Sequence, residues 1–540
     1  MSSSHPDSRR EFFRLAGAGV TGAALGAVAG AIPARAQSVP SESSGRFGIF
    51  SVREFGAVGD GNAIDTPAVN RAIDAAAAAG GGTVLFPAGT YACYSIRLKS
   101  NIELRLERGA TILAAEGAHY DAAEPNTPYF MYQDYGHNHW HNSLIWGEDL
   151  HDVSITGPGL IYGKGLSKGY GPGPKAEDPG VGNKSISLKN CRNILLRDFA
   201  ILQGGWFGIL ATGVDNLTID NLLIDTNRDG MDIDCCRNVR ITNTTVNSPW
   251  DDGIVLKSSW ALGYARPTEN VTIGNCYVSG WWQLGSVIDG SWKKYPAGAH
   301  IYGTGRIKFG TESNGGFLNI AIANCVFEGC QGLALETVDG AHLEDVSITN
   351  ITMRDINNAP IFLRLGARLR GPKESTQPGT LRRVNIGNIV CSNTAGKYCS
   401  ILSGIPGYAI ADVSLHDILI VSQGGGTTAQ AAIQLPEDES KYPEPTMFGA
   451  TPAYGFYVRH LNGLSMNNVQ LQTENPDSRP AVILDEVNGA EFFRLQAPVS
   501  AAAPILSLRN VTDFEIRYSH PTKDVRVPKA ENLSLPNGTE

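Results

Sequence analysis

One short unit recurs along this chain and limits its folding options more than any other feature. A polar residue, most often Asn or Asp, precedes an apolar-x-apolar pair, as in Asp152-Val153-Ser154-Ile155, Asn193-Ile194-Leu195-Leu196, Asn216-Leu217-Thr218-Ile219 and Asn238-Val239-Arg240-Ile241. The unit continues at Asn270, Asn319, Asp345, Arg383 and Asp412, with weaker copies at Gly463 and Asp513. Alternation within each unit is the period of a strand with one face buried. Its return after 22 or 23 residues in the closest copies (193, 216, 238) is the period of a solenoid whose turns stack on one another. The expected fold is therefore all-β, a single-stranded right-handed parallel β-helix. An antiparallel sandwich would leave the Asn before each apolar pair unexplained. Stacked Asn side chains at the turns would hydrogen-bond along the coil axis and hold the register.

A solenoid grows without splitting, so 540 residues need not mean several domains. Both ends of the coil must be covered. Asp65-Thr66-Pro67 followed by the Ala-rich run 68–79 and Gly80-Gly81-Gly82 predicts an N-terminal capping helix, with Pro just inside its start and Gly past its end. Residues 421–460, rich in Pro and Gly and poor in periodicity, predict a long excursion before the last coils. Net charge is -9, which gives no footprint for nucleic acid, and no stretch after residue 40 is apolar enough to span a membrane. The partner expected is a polysaccharide or oligosaccharide substrate, bound by a monomer.

Ser8-Arg9-Arg10-Glu11-Phe12-Phe13 precedes a Gly/Ala-rich run that ends at Ala34-Arg35-Ala36. Paired arginines before a weakly apolar segment predict a twin-arginine signal peptide over residues 1–36, with a Sec signal or a disordered tail as alternatives. The mature chain, 37–540, would then act outside the cytoplasm, in the periplasm or beyond. Nine cysteines without a CxxC pair do not form a zinc site. Cys276 and Cys325 follow Asn at matching repeat positions and are expected to be buried, while Cys325 and Cys330 could pair. His137, His139 and His141 alternate, and substrate contact or plain surface is expected of them before metal binding.

Chemistry concentrates between Asn227 and Lys257. Asn227-Arg228-Asp229-Gly230 and Trp250-Asp251-Asp252-Gly253 lie about one repeat apart, so stacking ~4.8 Å per turn would bring Asp229, Asp251 and Asp252 to one face. Adjacent acids on a strand point to opposite faces, so Asp251 and Asp252 can share a site only at a bend, which Gly253 permits. Three crowded carboxylates would raise the pKa of at least one. Asp234 is expected to be structural, and Asp232 is undecided.

Ser51-Val52-Arg53-Glu54-Phe55-Gly56-Ala57-Val58-Gly59-Asp60-Gly61, then the capping helix and Gly82-Thr83-Val84-Leu85-Phe86-Pro87-Ala88-Gly89-Thr90-Tyr91, look like the N-terminal coil of pectin-degrading β-helix proteins. With Ile155-Thr156-Gly157-Pro158-Gly159-Leu160-Ile161-Tyr162-Gly163, the Asn227 motif, the Asp251-Asp252 pair and Lys257, the chain resembles glycoside hydrolase family 28, the polygalacturonases, from about residue 50 to 370. The resemblance implies a pectin-lyase-like solenoid and inverting hydrolysis without cofactor or metal. It makes Asp251 the proton donor, with Asp229 and Asp252 holding the attacking water. The candidate sugar-binding residues are Asn227, Lys257, Arg306, Lys308, Glu312, Glu336, Trp282 and Arg364.

The chain also departs from the family. Thr304, between Gly303 and Gly305, stands where the family's Gly-His-Gly places histidine. Ala334 and Glu336 replace the Arg-x-Lys that grips a galacturonate carboxylate. An ionised Glu336 would repel such a group, so the sugar there is neutral or is held by other residues. Arg306 with Lys308, or Arg364, Arg368 and Arg370, could recognise an acidic sugar from another side, or could form a solvated basic stripe. Trp281, Trp282, Trp292 and Tyr295, in an insertion over 280–300, could stack on sugars and close one end of a cleft, making cleavage exo-acting. Two alternatives remain: a lyase using Lys257 or Arg306 as base with Ca²⁺ on the three aspartates, or a non-catalytic glycan-binding β-helix.

Overall fold

A computed structural model describes residues 48–171, 173–498 and 503–536; the predicted signal peptide lies outside the described residues. The strands stack coil on coil in parallel register, right-handed as parallel crossovers are, and only the final pair, Leu506–Arg517 with Val525–Leu535, runs antiparallel. One row of inward side chains shows why: Ile209, Met231, Ile254 and Ile307 lie opposite one another on successive coils, each completely buried. Burying such a side chain stabilises by about 1.5–3 kcal/mol, so the apolar positions of each unit find partners only in the coil above and below. The helix Thr66–Ala78 buries Val69, Ala72, Ile73 and Ala76 against the first coils, as the capping pattern predicts.

The recurring Asn has a conformational cause. Asn193, Asn216, Asn238, Asn270 and Asn319 all adopt φ of +56° to +58°, a left-handed conformation that Asn tolerates better than most residues. Their side chains form the expected ladder: Asn216 donates to Asn193 (2.9 Å), Asn238 to Asn216 (3.1 Å), Asn270 to Asn238 (3.2 Å) and Asn319 to Asn270 (2.8 Å). A second ladder runs through Asn275, Asn324 and Asn350 at the next corner. Replacing Asn216 by Ala removes two rungs and leaves a β-carbon in left-handed backbone. A loss of about 1–2 kcal/mol is expected, and Asn216→Gly should cost less, as a denaturant titration of both variants would show.

The nine cysteines are buried free thiols, and Cys325 and Cys330 are not bridged. The excursion is shorter than its composition suggests, because the strand Ile410–Gly424 runs on to 424 and the next begins at Phe456. Residues 425–455 fold over the outer face of the coils on either side of them, where Leu435, Phe448 and Ala453 pack on Ala334, Phe362, Ile401 and Tyr457. A second cover lies on the other side: Trp140, Ala176 and Trp206 pack on Phe207 and Leu210. The outer face of this sheet is therefore covered both before the strand Asp229–Asp234 and after the strand Ile307–Ser313. Between the covers lie three strands, and the opening is at the turns ahead of them, where Asp251 is partly exposed.

Candidate active site

Three glycines shape the opening. A side chain at Gly208 would meet the Gly230 carbonyl at 2.5 Å, one at Gly230 would meet the Gly253 carbonyl at 2.3 Å, and one at Gly253 would come within 3.1 Å of the Gly305 carbonyl. This column lets the turns before successive strands close on each other. Asp251 and Asp252 sit in that turn, just ahead of the strand Ile254–Ser258, so the alternation of a strand does not part them. Oxygens of Asp229, Asp251 and Asp252 accordingly lie within 4.8 Å of one another.

The three acids have different surroundings. Asp251 is 31% exposed and accepts a hydrogen bond from Arg228 Nε at 3.0 Å. Burial raises its pKa, and the Asp252 charge adds to this against the pull of Arg228. Asp229 is enclosed, and burial together with the Asp251 and Asp232 charges raises it well above the ordinary carboxylate range. Asp252 is enclosed too, yet Arg306 Nε at 2.8 Å and Lys308 Nζ at 3.6 Å outweigh the effect of burial and hold it below its ordinary value. One face thus carries two carboxyls that favour their protons and one that favours its charge. Sequence reasoning gave Asp229 and Asp252 the same task; their different cation partners separate them.

Arg306 and Lys308 share a face two residues apart, as predicted, but they form no solvated stripe, for both are almost completely buried. Arg306 also binds Glu444, and Lys308 meets Glu444 at 3.2 Å and Glu336 at 3.5 Å. Burial alone would strip their protons; these carboxylates outweigh it and raise both pKa values. Ala334 stacks directly on Lys308 in the next coil. Glu336 is fully buried, and burial pushes its pKa up to about 8 despite Lys308. The ionised Glu336 expected from the sequence is thus mostly neutral at pH 7.

Lys257 meets Glu312 at 2.8 Å and Asp232 at 3.8 Å, and Arg370 meets Glu312 from the other side at 3.0 Å. Asp234 is structural, accepting from the Ser259 backbone (2.8 Å) and hydroxyl (2.6 Å). Asn227 lies at the start of the same turn, its side-chain oxygen buried and without a partner. Arg364 is covered by the excursion, whose carbonyls at Glu437 and Asp438 take its guanidinium. Trp282 is on another sheet: its backbone binds the Asn247 side chain and its indole nitrogen donates to Tyr277 at 2.9 Å. Trp281, Trp282 and Trp292 pack there, while Tyr295 of the same insertion meets the Trp250 ring at 5.5 Å and Trp250 donates to the His300 carbonyl.

Several contributors carried a weak sequence signal or none. The histidines are not surface residues in the main: His137 and His139 are buried, and His137 Nε2 reaches Asp232 at 3.1 Å from 95 positions away. Glu444 arrives from the non-periodic excursion. Arg228, which stacks on Trp206 (4.3 Å) and Tyr170 (5.3 Å), was visible only as the middle residue of a motif. Tyr170, Tyr302 and Tyr442 are exposed; Tyr170 lies beside Arg228, Tyr302 is anchored to the Pro249 carbonyl, and Tyr442 lies over Lys308.

Residues 49–282 match the family described as rhamnogalacturonase A/epimerase, pectate lyase-like. The match ends before the coils that carry Arg306, Lys308 and Glu336. A probable polygalacturonase of Vitis vinifera is 25% identical over 391 residues, 68% of this chain and 74% of that protein. Among solved structures, an exopolygalacturonase of Thermotoga maritima shares the fold with a TM-score of 0.57 at 18% identity, covering 81% of this chain and 93% of that one. A family 28 exopolygalacturonase of Yersinia enterocolitica does so with a TM-score of 0.53 at 18% identity, over 86% and 78%. With its parallel coils and its motifs, the chain has the right-handed parallel β-helix fold and is similar to polygalacturonases of the family 28 type.

Proposed function

We propose that this protein is an exported glycoside hydrolase that removes sugar from the end of a pectic or related acidic polysaccharide, with inversion at the anomeric carbon. The observation that carries the reading is the convergence of three carboxylates with divided proton affinity. Asp251, the most exposed of the three and inclined to keep its proton, donates to the leaving oxygen. Asp252, held ionised by Arg306, takes a proton from the attacking water. Asp229 retains its own proton and orients that water as a hydrogen-bond partner. Inverting and retaining hydrolases typically separate their acids by ~6.5–9.5 Å and ~5–5.5 Å; the nearest oxygens here, within 4.8 Å, are closer than either and do not by themselves choose between them. Inversion is preferred because Asp252, clamped by two cations, is a poor nucleophile but a good anchor for water.

End-wise action is supported by the covers on both sides of the opening, and the relatives named exopolygalacturonase are consistent with it. The test is digestion of a long pectic oligosaccharide panel, rhamnose-containing ones included. A ladder of single-step shortening is expected, and an even spread of lengths would overturn the end-wise reading. The lyase alternative fares worse. Its candidate bases, Lys257 and Arg306, have pKa values raised well above normal by their carboxylate partners and hold their protons at neutral pH.

The split affinities also set a pH profile. Turnover requires Asp251 protonated and Asp252 ionised, so it should fall at high pH through a raised pKa and at low pH through one below the ordinary carboxylate value. Arg228 holds the Asp251 value down, so Arg228→Met should move the alkaline limb of kcat/KM to higher pH and leave the acid limb in place. An unmoved alkaline limb would remove Asp251 from the role of acid.

A further inference from the structure

The coils that replace the family's cation pair contain their own charge arrangement, and it indicates which sugar the opening accepts. Among the described residues Lys257, Arg306, Lys308 and Arg370 are each met by carboxylate, and Arg228 is hydrogen-bonded to Asp251 (3.0 Å), the acid of the reading above, and to the Lys168 carbonyl. Lys257 is held by Glu312 (2.8 Å). Arg306 is held by Asp252 (2.8 Å) and Glu444, and Lys308 by Glu444 (3.2 Å) and Glu336 (3.5 Å). Arg370 is divided between Glu312 (3.0 Å) and Asp134 (3.4 Å). Lys168 stands exposed at the rim, where its carbonyl takes Arg228 Nη1. An exposed pair of that kind contributes only about 0.2–1 kcal/mol, too little to offset the desolvation of a uronate and its repulsion by Glu444 and Asp252.

Polar groups suited to a neutral sugar are present instead. Glu444 Oε2 is buried and has no protein partner, because Arg306 and Lys308 both bind Oε1. Arg306 Nη1 is likewise buried and unpartnered, one donor left over on a guanidinium whose charge is already met. Beside them the exposed ring of Tyr442 lies over Lys308, 5.3 Å from its ammonium, and offers a flat apolar surface of the kind sugar rings stack on. Tyr442 and Glu444 come from the same bend of the excursion.

We propose that the walled opening accepts a chain end whose terminal sugar carries no carboxylate, with Glu444 accepting a hydroxyl and Tyr442 stacking on the ring. The polymer can be acidic beyond that unit; selection acts on its end. This rests on the hydrolase reading above and narrows it.

The test uses oligosaccharides identical except for the terminal unit, which is galacturonate in one and galactose or rhamnose in the others. The full-length protein should cleave a neutral-ended chain with kcat/KM at least about 100-fold above the uronate-ended one, the scale set by an unpaired like charge. Glu444→Gln, which keeps the shape and removes the charge, should narrow that ratio by about tenfold. Equal or faster cleavage of the uronate-ended chain, or a ratio unchanged in Glu444→Gln, would overturn the inference and leave the hydrolase reading intact. If no chain is cleaved, the hydrolase reading fails, and calorimetric titration of the same ligands decides the inference separately. Tighter binding of a neutral end supports it, and tighter uronate binding, or binding of neither, overturns it.

Discussion

Replacing Asp251 by asparagine should lower kcat by about 10³-fold or more while sugar binding and the fold persist. General acid catalysis contributes typically 10²–10⁴-fold, and an amide cannot give up a proton to the leaving oxygen. The substitution is nearly isosteric, and an Asn side-chain oxygen can still accept from Arg228 Nε where Asp251 now does at 3.0 Å. Since burial raises the Asp251 pKa and the side chain already favours its neutral form, exchanging it for a neutral amide changes the local charge little, so stability should hold. Steady-state kinetics on any oligosaccharide the wild type cleaves, with thermal denaturation and calorimetric binding on the same preparation, check all three. Asp234→Asn is the contrast: Asp234 is bonded to Ser259, and its loss should act through stability. A non-catalytic glycan-binding β-helix predicts no change at Asp251.

Removing the charge of Lys308 should have the largest effect on stability. Its ammonium is almost completely buried among Asp252, Glu336 and Glu444, at 3.6, 3.5 and 3.2 Å. Breaking a buried ionic cluster by taking away one partner costs about 3–5 kcal/mol, and here Arg306 would be left as the one cation between Asp252 and Glu444. Lys308→Met keeps the length of the side chain and isolates the charge. Glu444 then shares Arg306 with Asp252, so the double variant Lys308→Met with Glu444→Gln should recover part of the loss. Denaturant unfolding of the two single variants and the double gives the coupling directly. Additive effects would mean that the two side chains do not act on each other. Loss of activity should accompany Lys308→Met, since Asp252 then has Arg306 alone to keep it ionised.

How much of this could be read from residues alone follows from distance along the chain. The Asn before each apolar pair is a local conformational need, repeated until it becomes a pattern, and the resulting ladders from Asn193 to Asn319 are seen as expected. The three acids were legible because one turn of a coil brings residues a repeat apart together, and Gly230 and Gly253 stand beside them where a side chain would meet the next turn. What could not be read arrives from segments without periodicity. Glu444 reaches Arg306 across 138 positions and His137 reaches Asp232 across 95. Periodicity predicts nothing about where such loops return. That is also why Arg306, Lys308 and Arg364 could be read as solvent-facing and Glu336 as charged, when a folded-back excursion encloses them. Trp282 was misjudged for the opposite reason, since an aromatic-rich insertion signals packing as readily as sugar contact, and here the indole is bonded to Tyr277 on another sheet.

Proton NMR of the first sugar released from an α-linked pectic oligosaccharide examines the paired task of Asp251 and Asp252 most directly. Initial appearance of the β anomer, followed by slow mutarotation, is the expected result. Initial release of the α anomer, or an unsaturated product in place of a hydrolysed one, would contradict protonation by Asp251 with water delivered by Asp252.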